Sequence, residues 1–192
     1  SDVYKRQSYY CSDFKFRKGM VSDKNTPAYT LHMADGMWLN KSFKNSILQR
    51  IAKCELDGKR YVYSDFGFVL LQQVVEKVTE LPMDLYLARE FYAPMGLQRT
   101  MFLPLTKFTK AEIMPTASND FLRRQDICGY VHDETAACMG GVSGNAGLFS
   151  TAEEVAKVYQ MLLNGGEFNG KRFLSEATCR LFTTEKSAIS RR

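Results

Sequence analysis

Tyr63-Ser64-Asp65 has the residue types and order that suit acyl-transfer chemistry. A phenol held at the mouth of a helix can accept the proton of a nearby serine. A small residue keeps the turn tight, and the third side chain can be aimed at a substrate. The tripeptide lies between a polar loop, Asp57-Gly58-Lys59-Arg60, and a long apolar run from Phe66 to Thr79. A structural role fits the same residues: Tyr63 as a core aromatic with a satisfied hydroxyl, and Ser64 as a helix N-cap. The two readings are compatible for Ser64.

Two further places carry candidate chemistry. His132-Asp133 offers a base beside an acid, and three roles are open to it: acid–base catalysis, lining an active-site cleft, or stabilising its own loop by hydrogen bonds. Adjacent residues rarely point at one centre, so the pair does not have metal-ligand spacing. The second place is the cluster Gly140-Gly141, Gly144 and Ala146-Gly147, with Asn145 inside it. Glycines this dense let backbone pass close to a substrate or to other backbone.

These residues need elements to position them. The region 8–30 reads as loop with one short strand. Within 31–53, Phe43, Ile47, Leu48 and Ile51 form one helical face, with Asn40 or Ser42 as the cap. In 64–79, Phe66, Leu70, Val74 and Val78 form one stripe with Val69, Leu71 and Val75 beside it, which predicts a helix buried on most of its circumference. Leu81-Pro82 should end it. A second helix is expected over 83–92, then a long loop-rich stretch over 97–124. Ser150 or Thr151 opens a helix through capping-box spacing to Glu153 or Glu154, and Gly165-Gly166 closes it. Asn169-Gly170 marks a hairpin, and Ser175 caps a last short helix through Phe182.

Composition narrows the function. With 192 residues, 45% of them hydrophobic, the chain can build a packed core. No apolar run reaches the ~20 residues needed for a membrane-spanning helix. The net charge of +5 is scattered, and Phe14-Lys15-Phe16-Arg17-Lys18 alone interleaves basic and aromatic residues. A solvated face explains that stretch, so no nucleic-acid partner is expected. Five cysteines without a Cys-x-x-Cys pair, and two histidines, argue against a metal site. No cofactor is expected. The seven residues Ser1 to Gln7 resemble a translated sequencing adaptor and are set apart from the fold, leaving 8–192 as a partial domain.

Three segments in order carry a family resemblance over roughly 30–184. Tyr61-Val62-Tyr63-Ser64-Asp65-Phe66-Gly67-Phe68 resembles the second motif of serine β-lactamase-related proteins, which include class C β-lactamases, DD-peptidases and esterases. Glu90 to Leu97 and Gly141 to Ala152 resemble two later segments of that family. Gly129-Tyr130-Val131-His132-Asp133-Glu134 resembles a subgroup often fused behind a family 3 glycoside hydrolase in gut Bacteroidetes.

The resemblance implies an α+β fold, of which this chain would be the mainly helical central region, lacking most of the sheet. It implies a serine hydrolase working through an acyl-enzyme on an ester, amide or cell-wall peptide, in the periplasm or cell envelope. Tyr63 would be catalytic, sharing the base role with a motif lysine. Asp65, His132, Asp133 and Asn145 would meet substrate. Class C enzymes carry Asn where this chain has Asp65. An ionised Asp only accepts hydrogen bonds, which argues against a β-lactam amide carbonyl there. Subgroup relatives tend to carry histidine at the place of Asn145.

Two family features are not matched. The Ser-x-x-Lys match at Ser12-Asp13-Phe14-Lys15 runs into Phe16-Arg17-Lys18-Gly19, which does not continue as a buried helix, so Ser12 is not expected to be the nucleophile. Nothing in 171–192 supplies the Lys-Thr-Gly-like third motif. The chain is therefore expected to be inactive by itself. The alternative is a non-catalytic module that binds cell-wall peptide or packs against a glycosidase.

Overall fold

The computed structural model describes residues 16, 18–53 and 64–184. Tyr63 and the Ser12–Lys15 match lie outside the described residues, as do Ser1 to Gln7. The described residues divide into two compact units, drawn from Ser1–Glu80 with Phe102–Leu148 and from Leu81–Met101 with Phe149–Arg192.

The first unit begins with a turn at 18–20 that leads into a three-stranded antiparallel sheet. Its strands are β1 (Val21–Ser22), β2 (Tyr29–Ala34) and β3 (Met37–Asn40), in the order β1-β3-β2. The β2–β3 turn falls at Asp35-Gly36, inside a region whose sequence pattern announces only a helix. That helix follows as α1 (Ser42–Ala52), with Ile47 and Ile51 buried. The N-cap position is Lys41, not the expected Asn40 or Ser42; Asn40, one residue before it, accepts from the Ser42 N–H at 3.0 Å through its side-chain oxygen.

Helix α2 (Phe66–Thr79) starts where expected, and Ser64 Oγ accepts from the Phe66 N–H at 3.3 Å. Glu80, in the left-handed conformation, ends it one residue before Leu81-Pro82. The expected near-complete burial is corrected. Phe66, Val69 and Gln72 are buried, but Phe68, Leu71, Val74 and Val78 are at least half exposed. An apolar stripe reports what a face is made of and says nothing about what lies against it.

The long stretch after Met101 is built from single turns and two short strands, β4 (Pro115–Ala117) paired antiparallel with β5 (Ile127–Cys128). A short helix, α4 (Glu134–Cys138), carries small residues inward. Met33, Leu39, Ile47, Ile51, Phe66, Val69, Leu122 and Val131 close around it as one core.

The second unit contains the helix expected over 83–92. Its first part is α3 (Met83–Leu87), and 88–92 widen into a π-helical turn. Helix α5 (Ala152–Leu163) is capped by Thr151, whose hydroxyl accepts from the Glu154 N–H at 3.3 Å. A hairpin of β6 (Glu167–Phe168) and β7 (Lys171–Arg172) turns at Asn169-Gly170, both with positive φ (49° and 74°) as a type I′ turn requires. Helix α6 (Glu176–Thr183) is capped by Ser175 Oγ, which accepts from the Thr178 N–H at 3.0 Å. Met95, Leu97 and Met161 form this unit's core, with Val158, Leu162 and Phe173 against them. The mixture of helices with small sheets is an α+β arrangement. Among the described residues no helix is long and apolar enough to cross a membrane.

Candidate active site

The site lies in the first unit, where α2, the glycine-rich turn at 140–147 and the start of α4 meet. Asp133 is the N-cap of α4: its Oδ1 accepts from the Ala136 N–H at 2.7 Å. The same oxygen accepts from Asn145 Nδ2 at 3.1 Å, and Asn145 Oδ1 in turn accepts from Ser143 Oγ at 2.6 Å. Asp133 and Asn145, twelve residues apart, are thus brought into direct contact. Of the three roles open to His132-Asp133, the geometry displays loop stabilisation by Asp133. Ser143, which is 2% exposed, completes the chain of hydrogen bonds and was not singled out by sequence.

A buried ion pair holds the preceding segment. Arg123 and Asp120 have side chains 0% and 1% exposed, joined by Nε to Oδ1 at 2.9 Å and Nη2 to Oδ2 at 2.6 Å. The guanidinium also donates to the backbone carbonyls of Val131 and His132, both at 2.6 Å. Burial pushes the Asp120 carboxyl up, but the Arg123 hydrogen bonds and charge outweigh it and hold the group below its ordinary value. His132 is therefore fixed by its backbone while its side chain stays exposed.

Asp120, His132 and Glu134 place ligand-type atoms within 4.8 Å of one another. Asp120 already gives both its oxygens to Arg123, whose positive charge sits beside any cation placed there. The donor set fits an ion pair better than a metal.

Asp65 precedes α2, and its backbone carbonyl accepts from the Phe68 and Val69 N–H groups at 3.0 and 3.2 Å. The link from its helix to the turn runs through Gln72, a side chain 1% exposed. Gln72 Nε2 donates to the Val142 carbonyl at 3.3 Å and to Glu76 Oε1 at 3.0 Å, and its Oε1 accepts from the Gly144 N–H at 3.2 Å. At Gly144 a Cβ would lie 2.1 Å from the Phe68 carbonyl oxygen, so only glycine lets the turn approach α2 this closely. The one signal of Gln72 in the sequence is a polar residue interrupting an apolar helical run.

Beside this constellation, Tyr130 joins the β2–β3 turn. Its hydroxyl donates to Asp35 Oδ1 at 3.0 Å and lies 3.1 Å from His32 Nε2. His32 stacks on Trp38 with ring centroids 3.7 Å apart, and Lys110 pairs with Asp35. The hydrogen bond from Lys110 is the largest influence lowering the Asp35 pKa. Burial lowers that of His32 against the opposing pull of Asp35. Tyr130 is raised by burial and then by Asp35. The group anchors the segment just upstream of His132-Asp133 to the sheet.

Comparison with known proteins bears on these elements together. Residues 21–190 match the Beta-lactamase family. The chain is 33% identical over 213 residues to a Salmonella agona protein named "Putative D-alanyl-D-alanine carboxypeptidase", covering 95% of this chain and 49% of that protein. A Salmonella schwarzengrund protein of the same name is 35% identical over 172 residues, covering 82% of this chain and 40% of its own length. The chain thus spans about half, or less, of these curated relatives. Among solved structures, the octameric penicillin-binding protein homologue from Pyrococcus abyssi superposes with a TM-score of 0.55 at 18% identity, covering 83% of this chain and 34% of that one. D-amino acid amidase from Ochrobactrum anthropi gives 0.51 at 16% identity, covering 84% and 40%. At these identities the structural matches speak for the fold.

Proposed function

This chain belongs to the Beta-lactamase family, and from that premise we propose that it is the central, mainly helical part of a serine hydrolase acting on D-alanyl-D-alanine-terminated cell-wall peptides. The observation that carries the substrate class is the name shared by relatives 33–35% identical over most of the chain. In this reading a serine Oγ attacks the scissile carbonyl and passes its proton to the Tyr63 phenolate, which hands it to the peptide nitrogen as the C–N bond breaks, so that the terminal D-alanine leaves as the free amine. Water then releases the acyl group. Asp65, His132, Asp133 and Asn145 face the peptide. Asp133 and Asn145, already hydrogen-bonded to each other, are suited to hold its backbone amides. The whole protein supplies the Ser-x-x-Lys helix and the oxyanion strand, and a glycoside hydrolase domain fused to it belongs to the same proposal.

Two measurements test this. Titration of an acyl-D-alanyl-D-alanine peptide should shift the amide signals of Asp133 and Asn145, and the L-alanyl-L-alanine isomer should not. Equal shifts from both isomers, or none from either, sink the substrate class. The 192-residue chain should also turn over neither nitrocefin nor a p-nitrophenyl ester, because a tyrosine base without its nucleophile has nothing to activate. Hydrolysis above the buffer rate that is lost in Tyr63→Phe would refute that part.

A further inference from the structure

We propose that Gln72 is a positioning residue, which locks the 142–145 turn onto α2 and thereby sets the Asp133–Asn145 pair relative to the helix that starts after Asp65. The proposal rests on the reading above in giving Asp133 and Asn145 a substrate to meet. Its structural half stands on the contacts alone.

A glutamine is a costly choice for the middle of a buried helical face. Leucine or methionine would fill the same volume without an amide to satisfy. Here each end of the amide has backbone to bind. The oxygen accepts the Gly144 N–H and the nitrogen donates to the Val142 carbonyl, so one side chain reads both polarities of the turn. Glu76, one helical turn further on, accepts the other amide hydrogen at 3.0 Å and fixes which way round the amide sits. Gly144 has no room for a side chain against the Phe68 carbonyl, so the turn lies directly on the helix.

Three residues past Val142 and one past Gly144 the chain reaches Asn145, whose side chain grips Asp133. The connection therefore runs α2, Gln72, turn, Asn145, Asp133, α4. Asp65 lies seven residues before Gln72, about 10 Å along the axis at 1.5 Å per residue. A rigid helix carries the position of the motif end to the turn over that short span.

The test uses two variants and amide hydrogen exchange. Gln72→Leu keeps the volume and removes both hydrogen bonds. The Gly144 amide should then exchange at least tenfold faster, while the Ile51 and Met161 amides keep their protection. Gln72→Glu supplies the signature that simple packing lacks. Protonated, it can accept from Gly144 and donate to Val142 as the amide does. Ionised, it faces the Val142 carbonyl and the Glu76 carboxylate, so burial and like charge raise its pKa.

Gly144 protection in Gln72→Glu should accordingly be near wild type at pH 5 and fall as pH rises toward 8. Protection within twofold of wild type in both variants, or no pH dependence in Gln72→Glu, overturns the proposal. With the D-alanyl-D-alanine peptide, Gln72→Leu should weaken the Asn145 shift at least fivefold. An undiminished shift overturns the link from Gln72 to the site. Absence of any shift in the wild type defeats the substrate reading, and the Gly144 exchange still decides the lock.

Discussion

Asp120 in the first unit and Glu154 in the second are both nearly excluded from solvent, at 4% and 6% exposure, yet they are satisfied in opposite ways. Asp120 is matched by a full counter-charge: Arg123 takes both its oxygens and spreads its remaining N–H groups over the Val131 and His132 carbonyls. Glu154 has no such fork. Its Oε1 accepts from the Gln98 and Arg99 N–H groups at 2.7 and 3.0 Å, and its Oε2 accepts from Arg99 N–H at 3.0 Å and Thr100 Oγ1 at 2.6 Å.

The difference follows from which polar groups the neighbouring backbone turns inward. A segment presenting carbonyls needs a donor, and arginine then needs an acid beside it. A segment presenting N–H groups can be held by the acid alone. Both carboxyls end below their ordinary pKa although burial pushes each upward. Arg123 does this for Asp120. For Glu154 it is first the Thr100 hydroxyl, then the Arg99 and Gln98 N–H groups.

The largest effect should come from breaking the charged clip. Arg123→Met leaves Asp120 ionised in a dry site and two carbonyls without donors, which should destabilise the first unit by about 3–5 kcal/mol. Denaturant melts read the loss, and exchange of the amides at 131–133 should localise it. The double change Asp120→Leu with Arg123→Met removes the stranded charge and should recover part of the stability. No recovery would mean that the carbonyl contacts, rather than the ion pair, dominate.

The neutral clip should be the milder one to break. Glu154→Gln keeps one acceptor oxygen for three donors and introduces an NH₂ that must face N–H groups. A loss of about 1–3 kcal/mol is expected, with the Gln98 and Arg99 amides exchanging first. If Glu154→Gln costs as much as Arg123→Met, the claim that a full counter-charge raises the stakes is wrong.

The two clips also differ in how visible they are in the chain. Glu154 stands at the third position after Thr151, where the capping-box spacing picks it out. The structure then gives its carboxylate to a segment 54–56 residues away instead of to the cap. Asp120-x-x-Arg123 looks like any polar pair in a loop-rich stretch.

What was legible rests on local rules. The starts of α2 and α5, the Gly165-Gly166 stop, the Asn169-Gly170 hairpin and the Ser175 cap are each decided by residues within four positions of one another. What was not legible depends on distant partners. The β2–β3 hairpin hides in a region dominated by a helical pattern, and Gln72 means nothing until Gly144, 72 residues on, lies against it. In the site, the resemblance points to Asp133 and to Asn145 singly, and only the fold brings the two into contact. Tyr63 lies outside the described residues and keeps the standing the motif gives it.

The acid limb of stability gives the smallest effect and the finest test of the comparison. A carboxyl whose folded pKa is depressed contributes stability that is complete above its unfolded value, near 4, and that is lost as pH falls through the folded pKa. Both clips should therefore weaken on acidification below about pH 4, and neither should respond between pH 5 and 8. In Glu154→Gln one titrating group is gone, so the slope of stability against pH should flatten by at most about 1.4 kcal/mol per pH unit. In Arg123→Met the Asp120 carboxyl loses the guanidinium and keeps the backbone N–H of residue 123, which it accepts at 2.7 Å, against burial, the largest single influence on it. Its folded pKa should then rise above the unfolded value, and acid should stabilise this variant relative to its own neutral-pH state. Opposite signs in the two variants would establish that one carboxyl is held down chiefly by a charged guanidinium donor and the other chiefly by a hydroxyl and backbone N–H groups. Parallel acid limbs would show instead that Asp120 owes its low pKa to donors other than the Arg123 guanidinium, the backbone N–H of residue 123 first among them.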